Sequence, residues 1–171
     1  GNGNDATQSV AGNQPKIVAS GALAKLNGKP TLDWGIAQAN GLTLDVPISY
    51  SYANFVYKLS AVNSVNYLFG GQTNILLLAG SLNANFQGIT LFDSTFQQLA
   101  NAEDTNTHLG VYYNDGANNF LAIDGNVASS VGSFTSALNF NVIGNATFTT
   151  TGSLNGLCSE LILYPSDQSD N

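Results

Sequence analysis

Apolar and polar residues alternate with a period of two along most of this chain. Leu42, Leu44 and Val46 fall on one face of an extended segment, Phe55, Tyr57 and Leu59 on one face of the segment 50–61, and Leu109, Val111 and Tyr113 on one face of 108–113. Leu138-Asn139-Phe140-Asn141-Val142 is the clearest half-buried strand, and 75–79 is a fully apolar run. Further strands are expected at 17–20, 22–26, 29–34, 67–69, 86–92 and 120–123. Gly, Asn and Asp separate them: Asn27-Gly28 is a strong two-residue hairpin signal, and Asn40-Gly41, Gly70-Gly71, Asn114-Asp115-Gly116 and Asp124-Gly125-Asn126 mark other turns. Residues 1–16 lack periodicity and read as a loop with at most one short edge strand, and 94–101 as a helical turn or a loop.

Near the C-terminus, Leu157, Ser159, Leu161 and Leu163 alternate with Cys158, Glu160, Ile162 and Tyr164, so both faces are largely apolar. That pattern predicts a strand inside a sandwich, with Glu160 hidden and tied to backbone groups, and with Pro165 ending the ladder because it has no N–H to donate. Strands recur roughly every 8 to 15 residues, and no helical period lasts long enough for a crossover, which predicts antiparallel sheets. The fold class is therefore all-β, an antiparallel two-sheet β-sandwich or jelly roll. No repeat of fixed period is present, which argues against a solenoid or propeller.

Composition narrows the function classes. The 171 residues suit a single domain spanning 1–171. A hydrophobic content of 43% predicts a globular chain, but charged residues are only 9%, and Asn, Ser, Thr, Gln and Gly carry the polarity instead. Such a surface is associated with extracellular or virion-exposed β proteins. Eleven acids against four lysines, with no arginine, give a net charge of −7. Nucleic-acid binding is disfavoured, since phosphate contacts need clustered Lys and Arg, and so is an anionic membrane surface. Membrane insertion is not expected either, since no apolar run approaches the roughly 20 residues of a spanning helix. Cys158 is the only cysteine, so neither an internal disulfide nor a cysteine metal site is expected. The chain begins at Gly1 and contains no Met, which points to a domain excised from a longer chain.

Two segments carry a family resemblance. Gly1-Asn2-Gly3-Asn4-Asp5-Ala6-Thr7-Gln8, followed by Gln14-Pro15-Lys16-Ile17 and Asn27-Gly28-Lys29-Pro30, together with the run from Ser159 to Ser169, resembles concanavalin A-like (laminin-G-like) jelly-roll domains of bacteriophage structural proteins and secreted bacterial proteins. The resemblance implies a concanavalin A-like jelly roll with further sequence on either side. A more distant likeness runs to the catalytic jelly roll of α-L-arabinofuranosidases. Those enzymes use a carboxylate pair, and neither acid carries over, since residues 66–74 contain no acid.

Candidate chemistry is sparse. Glycoside hydrolysis needs two carboxylates about 5–10 Å apart, and the available acids are Asp33, Asp45, Asp93, Asp115, Asp124 and Glu160. Asp115 and Asp124 precede Gly in turns, where Asp is ordinary turn chemistry. Asp33 beside Trp34 is the most suggestive. His108 is the only histidine, and a solvated ring at the start of a strand accounts for it more simply than a triad or a metal site. No cofactor is expected; calcium is the one metal to consider, through the oxygens of Asn114, Asp115, Asp124 and Asn126. Asn145-Ala146-Thr147 is a glycosylation acceptor sequence. Phe55, Tyr57, Phe69, Phe86, Phe92, Phe120 and Phe140 read as core. Trp34, Tyr50, Tyr52 and Tyr112 lie at strand ends or opposite an apolar face, where they would form an exposed platform for sugar rings, with Gln72 and Asn114 holding hydroxyls. The leading expectation is a non-catalytic, lectin-like module on a virion or cell exterior that binds carbohydrate. A self-assembling decoration, fibre or filament subunit, whose partners are copies of itself or neighbouring virion or fibre proteins, is the alternative, and a glycoside hydrolase the second.

Overall fold

The computed structural model describes residues 5–35, 41–62, 65–71, 75–83, 86–87, 90–93, 95–98, 104–126, 129–130, 138–145 and 153–166. In chain order the strands are β1 (Ala6–Thr7), β2 (Val18–Ala19), β3 (Ala22–Leu23), β4 (Lys25–Leu26), β5 (Lys29–Pro30), β6 (Leu32–Asp33), β7 (Leu42–Tyr50), β8 (Tyr52–Leu59) and β9 (Val65–Gly70). They continue with β10 (Ile75–Asn83), β11 (Phe86–Gln87), β12 (Thr90–Asp93), β13 (Thr95–Gln98), β14 (Thr107–Asn114), β15 (Asn119–Ile123), β16 (Ser129–Ser130), β17 (Leu138–Ile143) and β18 (Gly156–Tyr164). One sheet runs β1-β7-β17-β9-β10-β12-β13, with β11 beside β10, and a second runs β16-β15-β14-β8-β18-β6; every pairing is antiparallel. Two short hairpins, β2-β3 and β4-β5, stand apart.

The two large sheets face each other across one core. Phe55 and Tyr57 of β8, Tyr112 of β14 and Leu121 of β15 are buried against Leu68 and Phe69 of β9, Leu91 of β12 and Phe140 of β17. The Phe55 ring meets Phe69 edge-on at 5.6 Å, and Phe69 continues to Phe140 at 5.4 Å. Each such ring contributes about 1.5–3 kcal/mol by leaving water. Strict alternation in β8 produces this layer, because every second residue from Ala53 to Leu59 is buried. The Asn27-Gly28 turn forms as expected, with φ of 49° and 77°, and Ser20-Gly21 makes a second turn of the same kind between β2 and β3.

Four expectations are corrected. Residues 95–98 form strand β13, paired to β12 through Asp93↔Thr95, and neither a helical turn nor a loop. Val46 is exposed while Leu44 is buried: the β7–β17 register jumps between Phe140↔Ile48 and Val142↔Thr43, so the stretch around Pro47 leaves the ladder. The Leu109, Val111 and Tyr113 face points outward, and the core takes Gly110 and Tyr112 instead. In β18, Glu160 is exposed rather than hidden. Cys158 pairs with Tyr57 and Glu160 with Val56, leaving Ser159 as the extra residue of a bulge. The bulge shifts the alternation by one, so Cys158, Leu161 and Leu163 all pack against the core while Glu160, Ile162 and Tyr164 face solvent. With its carboxylate in water, Glu160→Gln is expected to change stability by less than about 0.5 kcal/mol in urea unfolding; a larger loss would place the carboxylate in a network that the fold does not provide.

Candidate functional site

The outer face of the β16-β15-β14-β8-β18-β6 sheet carries a row of aromatic side chains. Cross-strand register places Phe120 opposite Tyr113, Tyr113 opposite Tyr52, and Tyr52 opposite Tyr164, one ring from each of β15, β14, β8 and β18. Phe120 and Tyr113 stack with centroids 4.5 Å apart and planes 11° from parallel. Tyr113 and Tyr52 stack at 6.2 Å, and Tyr164 meets Tyr52 edge-on at 6.0 Å. These distances fall in the range of favourable aromatic pairs. Tyr164 remains 38% exposed, and Ile162 (39%) and Leu109 (44%) extend the apolar face beside it. In β8, Asn54 is the next outward residue after Tyr52, opposite Val111 on one side and Ile162 on the other. The arrangement is a row of mutually stacked and edge-on rings bordered by an amide.

Of the residues expected to form a platform, Tyr52 alone is shown in it. Trp34 is 1% exposed and belongs to the core, its indole lying over Gly144, which has φ of 77° and where any Cβ would collide with the ring. Tyr112 is 0% exposed, and burial pushes its phenol well above the usual tyrosine range. Its hydroxyl donates to Asn119 Oδ1 at 2.6 Å, which is how a tyrosine is accommodated in this core. Asn114 is buried as well, its Nδ2 donating to the same Asn119 Oδ1 at 2.9 Å while its own Oδ1 accepts the Gly116 N–H at 2.8 Å. Neither Tyr112 nor Asn114 is thus available to a sugar in the folded chain. Tyr50 closes β7, with its side chain outside the described part, and Gln72 lies outside the described residues. Tyr113, Phe120 and Tyr164 are the members that sequence reasoning missed.

The oxygen ligands considered for calcium are separated. Asn114 and Asp115 sit at one end of β15, Asp124 and Asn126 at the other, with a five-residue strand of about 16 Å between them. Asp115 Oδ1 accepts the Ala117 and Asn118 N–H groups, and Asp124 Oδ1 accepts that of Leu109. Among the described residues, no group of three or more His, Cys, Asp or Glu side chains is placed to hold a metal ion.

His108 is not the solvated ring expected from sequence. Its side chain is largely covered, with Nδ1 2.7 Å from Asp124 Oδ2, Nε2 2.9 Å from Asp104 Oδ1, and the ring tilted against Tyr57 at 5.5 Å. The two carboxylates are separated by the imidazole itself, so the gap that a glycosidic bond would occupy is filled. Asp33 Oδ1 caps the Gly35 N–H at 2.9 Å, a turn role. Asn145 is buried, which withholds its amide from glycosylation in the folded chain, and its backbone pairs with Ser153.

Hydrogen bonds from the Asn106 backbone hold the Asp104 carboxyl below its ordinary value of 3.8, and those from Asn118 and Ala117 hold Asp115 below the same value. A lowered folded-state value means that the unfolded chain takes up these protons first. The stabilisation is present above 3.8 and is lost as pH falls through the lower folded values. Carboxyl carbon NMR titration is expected to give midpoints below 3.8 for both residues; a midpoint at or above it would remove these turns as acid-sensitive points.

At the level the fold defines, the chain is an all-β, sandwich-like protein of antiparallel sheets with an aromatic strip on one outer face. No protein-family model and no curated protein matches it. Among the described residues no helix is long and apolar enough to cross a membrane.

Proposed function

We propose that this chain is a non-catalytic, lectin-like module of the concanavalin A-like jelly-roll type that binds glycans on its outer sheet face, displayed on a virion or cell exterior. The row Phe120-Tyr113-Tyr52-Tyr164 carries this reading. Sugar rings present C–H faces that pack against aromatic side chains, and four adjacent strands spread the rings over about 14 Å. That length suits an oligosaccharide better than a single ring. The Asn54 amide beside the row offers both a donor and an acceptor to hydroxyls. The low content of charged residues, 9% of the chain, fits a neutral glycan. Calorimetric titration with neutral oligosaccharides tests the reading, together with tyrosine fluorescence as the rings are covered.

A second reading, a self-assembling decoration, fibre or filament subunit, rests on a different observation. Among the described residues β6 covers only Leu157 and Cys158 of β18, so the edge from Ser159 to Tyr164 has no neighbouring strand there, and Ile162 is exposed along it. Glu160 and the Ser159 bulge lie on that edge, and both are devices that blunt strand addition. Light scattering separates the two readings: assembly at micromolar concentration without sugar favours the subunit, and a monomer favours the glycan-binding module.

A further inference from the structure

A concavity lies at the side of the sandwich, where β6 ends and β18 bulges. Its volume is about 210 Å³. Leu32 and Leu161 wall it from one sheet, Leu42 and Ile143 from the other, and Ile17 and Pro30 form its rim. The bulge at Ser159 bends β18 at this point, and both residues of the bulge line the opening. A dry apolar cavity of about 150 Å³ is enough to hold benzene, so this one has room for a six-membered ring and a short substituent. Two features distinguish it from a gap in packing. Glu160, exposed to water, is the one charged residue among those that line it. Thr31 in its wall is buried, and its hydroxyl has no hydrogen-bond partner among the described residues.

We propose that this pocket binds a small apolar compound with a positively charged head, such as an amine-bearing aromatic ring, the ring lying between the sheets and the ammonium meeting Glu160. The walls favour the apolar body by removing it from water. The carboxylate selects the sign of the head, and the net charge of −7 favours cations over anions in the same direction. The site is separate from the aromatic row, which occupies the outer face around the other end of β18. Its ligand is therefore independent of glycan binding.

The test is a titration of the whole chain at pH 7 with benzylamine, toluene and benzoate, followed by methyl NMR shifts. The expected result is saturable shifts at Leu32, Leu42, Ile143 and Leu161, with benzylamine tightest and benzoate weakest. Glu160→Gln, a change at an exposed position, is expected to weaken benzylamine about three- to fivefold and to leave toluene within about twofold. The proposal is overturned if none of the three compounds gives saturable shifts at these methyls, if benzylamine is no tighter than toluene, or if Glu160→Gln weakens benzylamine no more than toluene.

Discussion

Gly110→Ala is expected to destabilise the chain by about 3 kcal/mol. Gly110 lies in β14 on the core side, opposite Phe55 of β8, and a Cβ built there collides with three atoms of the Phe55 ring. The ring has no room to retreat, because its far side meets Phe69 and Tyr57. Glycine in a strand is ordinarily a weakness, and here it is the space into which an aromatic ring packs. Urea unfolding with a fluorescence readout gives the difference directly. The adjacent Leu109→Ala, on the exposed face, is the control, and its loss is expected to stay within about 0.5 kcal/mol. Equal losses for the two variants would mean that the inward and outward faces of β14 have been exchanged.

The second large effect concerns binding. Tyr52 is the middle of the aromatic row, touching both Tyr113 and Tyr164. Tyr52→Ala removes one stacking face and leaves its neighbours unsupported, so oligosaccharide affinity is expected to fall at least about tenfold, or roughly 1.4 kcal/mol. Because Tyr52 points away from the core, the melting midpoint is expected to move only a few degrees. Tyr112→Phe makes the contrasting case one residue from Tyr113. It removes the hydroxyl that donates to Asn119, costing about 1 kcal/mol of stability while leaving glycan affinity intact. Aromatic residues side by side in sequence thus separate into binding and packing roles by the face they occupy.

Much of the architecture was legible from periodicity. The alternation of Ala53 to Leu59, the Asn27-Gly28 turn and the absence of helical period all describe the antiparallel sheets as they are. The site was less legible, for a specific reason. Leu109, Val111 and Tyr113 are the more apolar side of β14, and a pattern reading gives that side to the core, which sends Tyr112 outward. A neighbouring clue pointed the other way: Gly110 shares a face with Tyr112, and a glycine within a strand often marks close approach by another group. The Phe120–Tyr113 pair follows from the turn joining β14 and β15 and was accessible locally. Its continuation to Tyr52 and Tyr164 depends on pairings between distant segments, which no local pattern encodes. Trp34 was misplaced because its burial depends on Gly144, far along the chain. Glu160 was misplaced because a single extra residue in β18 exchanges its faces.

The edge of β18 shows how these details bear on behaviour. Exposed Ile162 and Tyr164 would make an open edge prone to pairing. The bulge, the Glu160 charge and Pro165 work against a continuous added strand, and the same bulge opens the pocket between the sheets. One local irregularity in the ladder therefore affects both association and the proposed ligand site.

The most direct measurement of the central claim is calorimetric titration of the wild-type chain and Tyr52→Ala against a panel of neutral oligosaccharides at matched folding. The account predicts saturable binding of at least one oligosaccharide by the wild type and an affinity at least about tenfold lower for the variant. Binding that is unchanged in Tyr52→Ala, or no oligosaccharide bound at millimolar concentration, would contradict it.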